Sequence, residues 1–423
     1  MKNLKIIITL ILCLTTSCSN IDSDLSNKNV KKIITNFEKD NHFSGVISLK
    51  ASDAKKYEYN FEKGLINLKG DSFEKESKFP IGELTTQYTA ALLLKVLYQK
   101  YETVHESKEE VLKDLKLALH SPISLYLDNN KYWGNSKPNW LNQVTIHHLL
   151  THTSGIVGDI NENYELKKVC KDFTEQDNLL FEPGEKFHFS RTNYYLVALI
   201  IEKLTGKSFS EVIDEQLFVK YQLKSTLNPE SGTVKSLKNK SNYRGVVDQF
   251  SYNPFNFKAS YKLNNDFSEF DKLQGTSSII ANMEDLHSWN FALHKDKIIL
   301  NADLYEIMTT KHINYKGIYY GYGLSFAEQG DNKIYFNVGV IDSYTSLMIH
   351  ANDKSLVMLS NLSVDQNEIL ALTKELDGKF APFIINPVIH KSSLMDELYS
   401  EYNNSGNLVN LINKFSKLLL REK

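Results

Sequence analysis

Two residue patterns in this 423-residue chain have spacing suited to chemistry. The first is a serine followed three residues later by a lysine, at Ser52…Lys55 and Ser72…Lys75. On a helix that spacing puts both groups on one face, so an amine can take the proton of an attacking hydroxyl. Both pairs fall in polar turns ahead of a long apolar helix, and both are read as chance. The second pattern is His148 and His152, four apart, a spacing that suits two zinc ligands on one helical face. No glutamate stands between them in the metalloprotease arrangement, so a packing role is expected. No metal and no other cofactor is called for. An acid, Glu83, opens the apolar helix. There it would meet the positive end of the helix dipole, worth about 0.3–1 kcal/mol. Its sharper alternative is a nucleophile or acid in new chemistry.

The elements that must position these residues can be read from periodicity. Residues 43–50 and 56–68 read as strands joined by a polar turn. A helix runs from about residue 83 to 100, apolar nearly all round, and should be buried in the middle of the fold. Thr145 caps a short helix through Leu150. Residues 193–204 form another buried helix, stopped by Gly206, and Ser208 or Ser210 caps the next. The Lys/Glu-rich residues 106–116 read as a solvated helix face. Residues 227–274 are polar and poorly periodic, which suggests a long loop region over one face. Residues 283–293 are helical. Residues 318–326, 333–340, 344–350 and 355–361 alternate like strands of one sheet. Helices are also expected at 30–38, at 368–376 and in two stretches after Pro387. Strands first, helices in the middle and strands again at the end give an α+β fold with a helical insertion.

The N-terminus has a basic start, an apolar run over residues 6–14 and a small-residue stretch ending in Cys18. The run is too short to span a bilayer. A cysteine in that place resembles a lipobox, so residues 1–17 are expected to be a lipoprotein signal peptide and Cys18 the lipidated N-terminus. Ser19 follows it, which favours an outer-membrane anchor. Residues 18–30 read as a tether. Cys13 belongs to the signal and Cys170 stands alone, so the mature chain has no internal disulfide and no cysteine metal site.

The stretch Thr145-Ile-His-His-Leu-Leu-Thr-His-Thr-Ser-Gly155 resembles the serine β-lactamase and penicillin-binding-protein family nearly residue for residue. So do Phe181-Glu-Pro-Gly-Glu-Lys-Phe187 with 193–206, Phe79-Pro-Ile-Gly82 with Gln87-Tyr-Thr-Ala90, residues 278–289, and Tyr320-Gly-Tyr-Gly323. Five matches in the family's order, from about residue 43 to 380, imply an antiparallel sheet flanked by helices with an all-helical lobe. They place a β-lactamase-related domain at 31–380 and a helical C-terminal extension at 381–423.

The resemblance also implies a site. The family places a serine at the start of the central helix, a lysine one turn later, a tyrosine-x-asparagine motif, and a strand carrying lysine or histidine before glycine. At the matching places this chain has Glu83, Thr86, Phe189-Ser190-Arg191 and Asn337-Val338-Gly339. Thr86 cannot act as a base near neutral pH, and Phe189 has the ring without the hydroxyl. Ser190 is the one motif hydroxyl that survives, and a hydrogen-bonding role is expected for it. Opposite charges stand at two positions that face one another in the family, so Glu83 and Arg191 are expected to form an ion pair. Tyr320 and Tyr322 are expected to wall a cleft or core. Ser154 and Gly155 should shape a turn.

Net charge is −2, which implies no basic field for nucleic acid. Aromatic residues make up 11% of the chain, which argues against disorder. The reading is a catalytically silent relative, anchored in the envelope, that binds or scaffolds. Its ligand is a peptidoglycan fragment, a peptide or a protein, and its cleft residues are Glu83, Ser190, Arg191, Asn337 and Gly339. The alternative is an active serine hydrolase of β-lactamase, DD-peptidase or esterase type with its nucleophile elsewhere.

Overall fold

The computed structural model describes residues 44–364, apart from 53–57, 65–70, 129, 134–136, 157–178, 230–249, 254–257, 261–272, 316–317, 330–331 and 342–343. The signal, Cys18, the tether, the helices expected at 30–38 and 368–376, and the extension at 381–423 lie outside the described residues. So do Lys55, Cys170 and most of the polar region 227–274.

In chain order the strands are β1 (Gly45–Ala51), β2 (Glu58–Lys63), β3 (Lys78–Pro80), β4 (Phe250–Asn253), β5 (Lys258–Ser260), β6 (Ile280–Asn282), β7 (Ile313–Tyr315), β8 (Ile318–Tyr320), β9 (Ser325–Gln329), β10 (Asn332–Ile341), β11 (Tyr344–Ala351), β12 (Lys354–Ser360) and β13 (Leu362–Val364). The main sheet has eight strands in the order β2-β1-β12-β11-β10-β9-β8-β7. Each neighbouring pair in it is antiparallel. The first strands therefore lie against one of the last, which closes the chain on itself: Val46 is opposite Leu359 and Leu49 is opposite Leu356.

The helices used below are α1 (Thr85–Glu102), α2 (Lys108–Leu119), α3 (Ile146–Leu150), α4 (Arg191–Thr205), α5 (Phe209–Ile213), α6 (Met283–Asn290) and α7 (Ala302–Met308). Helix α1 is buried from Thr85 to Leu97 on every face, as its continuous apolar run requires. It lies against α4 and α2 in the helical lobe. Tyr88 stacks on Trp289 of α6 with ring centroids 3.8 Å apart, a contact worth about 0.5–1.5 kcal/mol beyond burial. In α2 the buried residues are Val111, Leu115, Ala118 and Leu119, so its charged face meets solvent. Side chains cap the starts: Thr145 and Ser208 each close a capping box, with His148 and Glu211 reaching back. Gly206 ends α4 at φ 72°. The fold is α+β, an antiparallel sheet with helices and a helical lobe.

Two expectations are corrected here. Residues 318–326 are two strands, β8 and β9, joined by a hairpin in which the Gly321 N–H donates to Leu324 O at 2.9 Å. Two glycines inside an otherwise strand-like run mark that turn. His148 and His152 do not share a helical face. Helix α3 ends at Leu150, and His152 has φ 55°, a left-handed conformation that ends the helical run.

Candidate functional site

The site forms where β10 crosses the entry to α1. Gly82 has φ 53° and opens a 3-10 turn, Gly82–Leu84, that carries Glu83. A Cβ on Gly82 would stand 2.5 Å from the Val340 nitrogen, and one on Gly339 would stand 2.1 Å from the Ile81 oxygen and 2.9 Å from the Glu83 nitrogen. Only glycine at both places lets the strand backbone touch the turn. Ser346 of β11 fixes the approach by donating to Ile81 O at 2.7 Å.

The second wall comes from the two best-matching sequence stretches, sewn together by backbone bonds. The Leu180, Gly184 and His188 N–H groups donate to Gly155, Thr153 and His152 carbonyls at 2.7–2.8 Å. Ser154 Oγ donates to Asn193 Oδ1 at 2.7 Å. This holds Ser190 as the residue before α4 and Arg191 as its first helical residue.

The ion pair expected between Glu83 and Arg191 is present. Arg191 Nε donates to Glu83 Oε1 at 2.8 Å, and Arg191 Nη2 lies 2.5 Å from the same oxygen. The other oxygen, Oε2, accepts the Val340 backbone N–H at 2.6 Å. Arg191 Nη2 also donates to Val340 O at 3.3 Å. Both carboxylate oxygens are thus held by donors from separate elements. The Glu83 side chain is 10% exposed and that of Arg191 21%, so the pair sits at the rim and not in the deep core.

Thr86 faces inward. Its hydroxyl lies 2.8 Å from Glu83 O and 2.9 Å from Gly323 O, shared between two carbonyls. Asn337 is buried beside it: its amide donates to Gly323 O at 2.9 Å, and its Oδ1 accepts from Gln87 Nε2 at 3.0 Å. Gln87 in turn accepts from Trp289 Nε1 at 3.2 Å. The positions that proton transfer would need are filled by a neutral amide and hydroxyl network.

Phe189 lies against His152, ring centroids 4.5 Å apart. The Ser190 N–H and the Asn193 amide both point at His152 Nδ1, each at 3.3 Å. Nδ1 is therefore the acceptor and the proton sits on Nε2, which is buried and has no hydrogen-bond partner among the described residues. Burial, and then His188, push the His152 ring down to about 3, so it is neutral. Ser190 is buried, and its side chain makes no capping bond to α4. Tyr320 and Tyr322 are both buried, and burial raises both hydroxyls far above their ordinary range. His147 Nδ1 lies 2.8 Å from the Tyr322 hydroxyl.

Of the two serine-x-x-lysine pairs, Ser72…Lys75 lies in a turn region outside any helix, and Lys75 points to Glu284 at 4.0 Å. Among the described residues no group of histidine, cysteine, aspartate or glutamate has the geometry to hold a metal ion. Three contributors were not foreseen: the Val340 N–H, the Gly323 carbonyl and Gln87. A backbone donor has no residue signature, although the glycine before Val340 marks where a strand could come close.

The Beta-lactamase family model matches residues 41–376. Penicillin-binding protein 4* of Bacillus subtilis is 27% identical over 259 residues, 55% of this chain and 54% of that protein. Protein flp of Staphylococcus aureus is 25% identical over 342 residues, 74% of this chain and 61% of that protein. The chain thus spans less than two thirds of either relative. Among solved structures, the octameric penicillin-binding-protein homologue of Pyrococcus abyssi has a TM-score of 0.62 at 18% identity, covering 84% of this chain and 78% of its own. The D-amino acid amidase of Ochrobactrum anthropi reaches 0.61 at 17% identity, covering 80% and 92%. These likenesses show the fold, and the family match over most of the length shows the membership: the chain belongs to the Beta-lactamase family, the serine hydrolases related to β-lactamases and penicillin-binding proteins.

Proposed function

We propose that this member of the family is catalytically silent and serves as a lipid-anchored envelope protein that binds or scaffolds. The observation that carries this reading is the Glu83 carboxylate. It stands at the start of the central helix, where acyl transfer needs an alcohol, and both its oxygens are held, by Arg191 and by the Val340 N–H. A paired carboxylate is a poor nucleophile toward an amide, and no amine lies one turn on, where Thr86 is bound to two carbonyls. Because this cluster is filled by its own side chains, a ligand must displace the Glu83 carboxylate or bind outside the cluster. A peptidoglycan fragment, a peptide or a protein remains the class of partner.

The test is labelling with a fluorescent penicillin and a broad serine-directed fluorophosphonate. The reading expects neither to label the wild-type protein. Label mapped to Ser190, Ser52 or Ser72 would support an active hydrolase instead. Replacing Glu83→Ser and Thr86→Lys together should not restore strong acylation, because Phe189, Arg191 and Asn337 would still be in place. For the anchor, Cys18→Ala should move the protein from the membrane fraction to the soluble fraction. An unchanged distribution would remove that part of the proposal.

A further inference from the structure

We infer that Arg191 and the Val340 N–H form a carboxylate receptor whose resident ligand is the chain's own Glu83. This rests on the reading that residue 83 is not a nucleophile. The backbone that carries each donor is held by strand or helix, independently of Glu83. Val340 is held in β10 by pairing with Thr345 of β11. Arg191 is fixed by α4 and by its own bond to Val340 O at 3.3 Å. They meet one carboxylate from two sides, the guanidinium on Oε1 and the N–H on Oε2. Charge-assisted bonds of this kind are among the strongest in proteins. The side chains keep 10% and 21% of their surface open, so the receptor can be reached from solvent.

Tethering gives Glu83 an effective concentration in the millimolar range or above, so a free carboxylate must outcompete it. The cleft of the wild-type protein is therefore self-inhibited toward acidic ligands. Glu83→Ala removes a CH2–COO⁻ group, the size and charge of acetate, and leaves cation and N–H behind. Acetate should fill that place.

The experiment compares thermal unfolding of wild type, Glu83→Ala, and the double variant Glu83→Ala/Arg191→Met in chloride, acetate and acetamide at equal ionic strength. Glu83→Ala should gain stability from acetate in a saturable way. At ten times the dissociation constant, the folding equilibrium shifts about tenfold, a rise of roughly 2 °C in Tm for a domain of this size. Wild type and the double variant should not respond, and acetamide should do nothing for any of them. An equal response of all three proteins, or none in Glu83→Ala, overturns the receptor. If Glu83→Ala does not fold in chloride, it is refolded in acetate and in acetamide. Recovery in acetate alone supports the receptor, and equal recovery or none overturns it. Penicillin labelling of the wild type would sink the silent-site reading without deciding the acetate result, so the two failures can be told apart.

Discussion

Two polar clusters tie the main sheet to a helix, and they do so by opposite means. At Glu83 the link from β10 to α4 is a charged pair at the rim. At His287 the link from β1 and β12 to α6 is a neutral ring in the core. Ser48 Oγ donates to Asn60 Oδ1 at 2.6 Å, so it accepts from His287 Nε2 at 2.9 Å. Ser355 Oγ then donates to Nδ1 at 2.8 Å and accepts from Asn290 Nδ2 at 2.7 Å. Burial holds the ring down to about 3. The ring's two nitrogens and both serine hydroxyls are committed to this network. The rim pair is also satisfied, by charge-assisted bonds to both oxygens of one carboxylate. On the receptor reading proposed above, a site filled by the chain's own charge can be vacated for another anion, whereas the neutral network at His287 has no charge to exchange.

Acid should break the core cluster first. His287 and His152 both sit near 3 in the folded protein, against about 6.5 when unfolded. The unfolded chain binds more protons between these values, so stability is complete above about pH 7 and falls as pH drops toward 3. Together the two rings should cost about 4–5 kcal/mol between pH 6.5 and 4.5. Urea midpoints across that range check this, and a flat profile would contradict it.

The rim pair comes next. Glu83→Gln or Arg191→Met breaks this ion pair and should cost about 2–4 kcal/mol, discounted for partial exposure. The double variant should cost less than the sum of the two. A double-mutant cycle by urea unfolding measures the coupling, and additive losses would show that the pair is not linked. His287→Leu should cost about 1–3 kcal/mol by taking one of their hydrogen-bond partners from Ser48 and Ser355. It should also remove the share of the acid slope that His287 carries, about 2 kcal/mol between pH 6.5 and 4.5 and one of several buried histidines' shares, which the same midpoints report. The smallest effect is Thr86→Val, about 1 kcal/mol in a urea titration, because its two carbonyl partners lose one shared hydroxyl.

Much of this was legible in the chain itself. The nearly all-round apolar content at 90–97 pointed to a buried central helix, and opposite charges at 83 and 191 foretold the pair. The sewing of 152–155 to 180–188 was not legible, because it is made by backbone groups whose pairing depends on long-range closure. The two-histidine spacing misled for a local reason: a left-handed His152 breaks the helical count, and a non-glycine residue gives no warning of that. The strand at 318–326 was split by glycines whose turn role shows only when the hairpin closes. The Val340 N–H, the donor that decides the role of Glu83, belongs to a peptide bond and has no letter of its own.

Intact-mass measurement of the wild-type protein after prolonged exposure to penicillin and to a fluorophosphonate tests the central claim most directly. A carboxylate locked between Arg191 and Val340 predicts an unchanged mass with both reagents. A stoichiometric adduct with either one would contradict the account.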